Sequence, residues 1–114
     1  MKTLLLTLKV GFRDFSVFKV SDTDPDLLGC DGLCLNDRSW PCIYLSDKLA
    51  PAAQAEVLIH ELMHAYWDAF NLPGRVDEEG ACKFFGVAMS TLIRDNPTLS
   101  GMLGLAIHRN EGIF

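Results

Sequence analysis

The chain has 114 residues, of which 49% are hydrophobic and 22% charged, with a formal net charge of −5. That length supports one hydrophobic core and no second module, and that composition excludes a disordered chain. The negative balance, with no Lys/Arg cluster longer than a scattered pair, argues against nucleic acid and anionic membrane surfaces as partners.

The opening Met1-Lys2-Thr3-Leu4-Leu5-Leu6 starts like a signal peptide. Its apolar run is broken at Lys9 and followed by Gly-Phe-Arg-Asp rather than by small residues at a cleavage site, so a strand over Thr3 to Lys9 is the better expectation. No apolar stretch approaches the ~20 residues needed to cross a bilayer, and a cytoplasmic protein is expected. Gly11 offers a turn into a second strand over Phe15 to Val20, and the two form a hairpin. Ser21 to Asp26 reads as a polar loop closed by Asp24-Pro25. A second hairpin is expected from Leu33-Cys34-Leu35, a turn at Asn36-Asp37-Arg38-Ser39, and Pro41 to Leu45.

Helix one is expected from about Pro51, a favoured first-turn residue, to about Phe70, ended by Asn71-Leu72-Pro73-Gly74. Val57, Leu58, Leu62, Ala65, Tyr66 and Ala69 give it an apolar face at helical spacing. Helix two is expected from between Val76 and Glu78 to Asp95-Asn96-Pro97, with a short third helix over Leu99 to Ala106. The expected fold class is α+β: a small N-terminal antiparallel sheet of two hairpins, packed on one face by the helices.

Four cysteines stand at 30, 34, 42 and 82. In a reducing compartment they are expected as free thiols. The spacing of Cys30, Cys34 and Cys42 matches no common zinc knuckle, so packing is the expectation over a second metal site.

Two of the three histidines fall in His60-Glu61-Leu62-Met63-His64. Residues four apart on a helix share a face, so His60 and His64 can offer two imidazole nitrogens to one cation. Glu61, rotated about 100° from His60, sits beside that cation as a carboxylate able to take a proton from an activated water. A zinc site of this kind needs a third protein ligand, and Asp77-Glu78-Glu79 at the start of helix two are the candidates, although acidic residues suit a first helical turn for dipole reasons alone. Helical phase does not separate them: Glu78 leads a stripe of Ala81, Phe85, Ala88 and Leu92, and Glu79 one of Cys82, Gly86, Met89 and Ile93. His108 is a further outsider.

The stretch Val57 to Ala65, with Glu78-Glu79-Gly80-Ala81-Cys82-Lys83-Phe84-Phe85 downstream, resembles the minimal Glu-ligand HExxH zincins. It is similar to the ImmA/IrrE-type metallopeptidases and to small phage or prophage proteins of that layout, over about residues 41–97. Glu78, Ala81 and Phe84 match the spacing of the ligand helix in that pattern. The resemblance implies that His60, His64 and Glu78 hold Zn²⁺ and that Glu61 is the general base in peptide-bond hydrolysis, later giving its proton to the leaving amine. It also implies a peptide or protein substrate, aligned in an extended form along the strand around Ile43-Tyr44-Leu45. Tyr44 or Tyr66 is a candidate to stabilise an oxyanion, Trp40 and Trp67 are expected in the core or cleft wall, and Asp68 is a candidate partner for His64. The alternative is a zinc-stabilised interaction or regulatory module without turnover.

Overall fold

The computed structural model describes residues 2–36, 39–70 and 77–99, with the main chain alone at positions 78, 82 and 86. The turn residues Asp37 and Arg38, the helix-ending segment 71–74, His108 and, beyond Leu99, the expected third helix lie outside the described residues.

The hairpin expected around Gly11 is present as β1 (Lys2–Val10) and β2 (Arg13–Val20), paired antiparallel with Val10 opposite Arg13. This leaves a two-residue turn, Gly11-Phe12, in which Gly11 takes φ +62°. A glycine at the first central position suits the turn type whose twist matches the flanking strands. Leu5 is an extra residue in the ladder, a bulge between the Leu4 and Leu6 pairings. β1 lies at the sheet edge; Leu8 and Val10 enter the core, whereas Leu4 and Leu5 are exposed. Within the loop 21–31, Asp24 caps a short 3₁₀ turn, Pro25–Leu27, its side chain accepting from Asp26 N.

The second hairpin is β3 (Gly32–Leu35) with β4 (Cys42–Ser46), antiparallel. The expectation of a wholly antiparallel sheet is corrected where the hairpins join. β4 inserts between β2 and β3 and pairs parallel to β2, giving the mixed order β1-β2-β4-β3. The reason is burial: all five residues of Cys42-Ile43-Tyr44-Leu45-Ser46 are buried, so this strand takes the centre, and partly exposed β3 takes the edge. The loop after β2 is long enough to carry the chain past the vacant centre.

α1 (Pro51–Ala69) begins with Pro51 after the extended residue Ala50, as Pro favours. It lays Leu58, Leu62, Ala65 and Tyr66 on the sheet face formed by Leu8, Phe15, Val17, Ile43 and Leu45. Tyr66 is fully buried there, its pKa pushed up to about 12, first by burial and then by Asp95, and no described group bonds its hydroxyl. A buried hydroxyl without a partner contributes nothing that a phenyl ring would lose. Tyr66→Phe is therefore expected to unfold at the same or a higher temperature than the native chain, a change within about 1 kcal/mol in a thermal melt.

α2 (Glu78–Asp95) starts at the N-cap Asp77, whose side chain accepts from Gly80 N at 2.7 Å. Its buried stripe is Phe84, Ala88 and Leu92, a four-residue period. The expected stripe is corrected at one place: Phe85 is half exposed, and its neighbour Phe84 turns inward to meet Trp67 and Phe70. The far end is anchored by Asn96, 8% exposed. Its Oδ1 accepts from Lys9 N at 2.7 Å, and its Nδ2 donates to Lys9 O and to Leu92 O, both at 3.0 Å. Asn96 thus pairs with the free edge of β1 as a neighbouring strand would.

Candidate metal centre

The HExxH segment lies in the middle of α1, where the helix passes from buried to open. Leu58, Leu62 and Ala65 turn to the sheet, which leaves His60 and His64 exposed on the opposite side. The four-residue interval brings their rings to 5.0 Å between centroids, inclined at 73°. Glu61 falls between these surfaces and is only 8% exposed. Burial raises its carboxyl above the ordinary range, and the neighbouring His60 and His64 oppose that shift. No described group donates a hydrogen bond to it.

β3 closes over this carboxyl. A Cβ at Gly32 would stand 2.5 Å from Val57 Cγ1 and 3.3 Å from Glu61 Cγ, so only glycine lets the edge strand come this close to α1. One residue pair along, Cys34 faces the same side, its thiol pushed up to about 12 by burial first and the Glu61 charge second.

Two hollows flank the histidines and share Glu56, His60 and His64. One, of about 490 Å³, is completed by Cys30, Asp31, Gly32, Val57 and Glu61. The other, of about 570 Å³, is completed by Ile59, Met63, Trp67, Phe84 and Phe85. Trp67 is thus in the cleft wall, as expected. Glu56, Asp31 and Gly32 are cleft residues that the sequence reading did not single out, and Cys30 was read only as a packing thiol. For Glu56 the signal was present, since it precedes His60 by the same four residues that separate His60 from His64.

Several expectations are corrected. β4 is paired on both sides, so Ile43-Tyr44-Leu45 has no free edge for a peptide; the edge strand beside α1 is β3. Tyr44 points to the other face of the sheet, packed on Phe18 with ring centroids 6.1 Å apart, and Tyr66 is in the core, so neither ring lines the cleft. Trp40 is 75% exposed, its indole donating to Ser16 Oγ rather than packing in the core. Asp68 meets Arg13 at 3.9 Å on the solvated side of α1, not His64. Cys30, Cys34 and Cys42 are free thiols; Cys30 is exposed, and Cys42 lies on the sheet face away from α1.

Among the described residues no three His, Cys, Asp or Glu side chains converge to hold a metal. Glu78 is the first residue of α2, and its side chain lies outside the described residues. Phe85 borders the hollow of His60 and His64. Glu79 is exposed, and Asp77 is committed to capping. The donors present suit a zinc-type cation: two imidazoles reachable from solvent one helical turn apart, with a nearly buried carboxyl between them and the sheet that no described group bonds. Among the described residues no helix is long and apolar enough to cross a membrane. No protein-family model, curated protein or solved structure matches the chain, and the site therefore stands on its own geometry.

Proposed function

We propose that the protein is a zinc-dependent peptidase of the HExxH, minimal-zincin type, with His60, His64 and Glu78 as the metal ligands and Glu61 as general base. The observation that carries the reading is the placing of Glu61: a nearly buried carboxyl, without a hydrogen-bond donor among the described residues, beside two solvent-facing imidazoles one turn apart. A zinc ion held there would supply Lewis acidity, lowering the pKa of a water and polarising the scissile carbonyl. Glu61 takes the proton from the attacking water as its oxygen bonds the carbonyl carbon. As the C–N bond breaks, the same carboxyl returns that proton to the leaving nitrogen, so the peptide and one water become an acid and an amine. Burial suits the base role, because a carboxylate whose pKa is raised above its ordinary value takes a proton from water more readily. The open edge of β3, held against α1 at Gly32, offers main-chain groups along which an extended peptide can align.

Metal analysis of the purified chain is expected to give about one zinc per molecule, reduced far below stoichiometry by His60→Ala or His64→Ala. In the same assay Glu78→Gln is expected to weaken zinc more than Glu79→Gln. Native protein without a stoichiometric transition metal, or histidine variants that keep it, would sink the reading. Stoichiometric zinc with no cleavage of any peptide would favour a zinc-stabilised interaction module instead.

A further inference from the structure

The two hollows beside the histidines differ in chemistry. In the first, Asp31 and Glu56 stand exposed at the rim above the buried Glu61, and neither rim carboxylate has an ion-pair partner among the described residues. The main chain at Asp31 is fixed, since its carbonyl accepts from Ser46 N at 2.9 Å. No Lys or Arg among the described residues borders either hollow. The second hollow has a wall of Ile59, Met63, Trp67, Phe84 and Phe85. Trp67 and Phe84 stand edge to face at 5.1 Å, and Phe85 leans on Phe84 at 5.6 Å while half exposed. An aromatic wall held by its own contacts presents apolar area with little further ordering needed on binding.

From this asymmetry we infer that the cleft takes an extended peptide with a Lys or Arg side chain on the Asp31/Glu56 side of the histidines and a large apolar or aromatic side chain on the Trp67/Phe85 side. The inference rests on the reading of the site as a peptide cleft and names its substrate class. Charge complementarity selects the basic residue: the two exposed rim carboxylates repel an acidic side chain and attract a cationic one. Apolar burial selects the other, since a hollow of about 570 Å³ is within the size range of ligand sites and five of its lining residues, Ile59, Met63, Trp67, Phe84 and Phe85, are apolar. The shared residues Glu56, His60 and His64 place the division between the two preferences at the histidine pair.

The test measures binding and cleavage separately on the intact, zinc-supplemented chain. Short fluorescein-labelled peptides of Gly/Ser background carry Arg and Phe one, two or three residues apart. Controls replace Arg by Glu, or Phe by Ser. Polarisation is expected to show binding of the best Arg/Phe peptide weakened about tenfold by either replacement. The Asp31→Asn, Glu56→Gln double variant is expected to lose the Arg preference and keep the Phe preference, and Phe85→Ser the reverse. All three positions are exposed, so a folded chain is expected, with circular dichroism as the check. Equal binding of all peptides, tighter binding of the Glu control, or no binding at all overturns the inference. Discriminating binding without cleavage upholds it and defeats the hydrolase reading alone; cleavage without discrimination does the opposite.

Discussion

Glu61→Gln is expected to leave zinc content and fold unchanged while lowering peptide hydrolysis by about 10²–10⁴-fold, the span attributed to a positioned general acid–base. Gln preserves the shape of the side chain but has no carboxylate to accept the proton from water. Cleavage assays at matched zinc loading check this, and a variant that cuts at the native rate would remove Glu61 from the mechanism. The same substitution carries a second expectation of opposite sign. Burial raises the folded-state pKa of Glu61 above its unfolded value, so the folded chain holds this proton more tightly and loses stability as pH rises through that interval. In metal-free protein Glu61→Gln is therefore expected to melt higher than the native chain at neutral pH. The gap should close below the ordinary Glu range, where both forms are neutral. A native chain more stable than the variant at neutral pH would mean that the carboxylate has a stabilising partner.

Asn96→Ala is expected to cost about 3 kcal/mol, the largest loss anticipated from any single polar side chain here. Three hydrogen bonds go, and the greater part of the effect comes from what they leave behind: Lys9 N and Lys9 O lose their partner on the outer edge of β1. For a domain of this size such a loss lowers the melting temperature by roughly 12–24 °C. Asn96→Asp is the sharper control, because Oδ1 can still accept from Lys9 N while the donor to Lys9 O and Leu92 O is gone and a charge is buried. A thermal melt of Asn96→Ala within about 0.5 kcal/mol of native would show that α2 is held by Phe84, Ala88 and Leu92 alone. The consequence follows from position: α2 carries Phe84 and Phe85, so an unfastened helix loosens one wall of the hollow beside His60 and His64.

The strands and helices were legible because their signals are local. Gly11 between two apolar runs reads as a turn, and Pro51 followed by a 3.6-residue apolar period reads as a helix; the structure has both. The histidine pair was legible for the same reason, since a four-residue interval on a helix fixes the relation of two side chains whatever surrounds it. The phase of α2 was read less well. Phe84 and Phe85 are adjacent, equally apolar and 100° apart, and only the position of Trp67 and Phe70 decides which turns inward.

What the sequence by itself determined is therefore the four strands and two long helices of the described residues, their order, and two imidazoles and a carboxyl on one helix. Tertiary structure alone decided that β4 lies between β2 and β3, because strand order depends on which strand gains most from burial on both faces, and no local pattern encodes that comparison. That one choice took Tyr44 away from the cleft, made β3 the edge, and set Gly32 against Val57 and Glu61. It also brought Asp31, far from the histidines in the chain, to the rim opposite Glu56. The burial that raises the Glu61 carboxyl has the same origin, since a helix alone would leave it in open water; the sheet packed beneath α1 and the glycine that admits β3 cover most of it and leave it only the hollow beside the histidines.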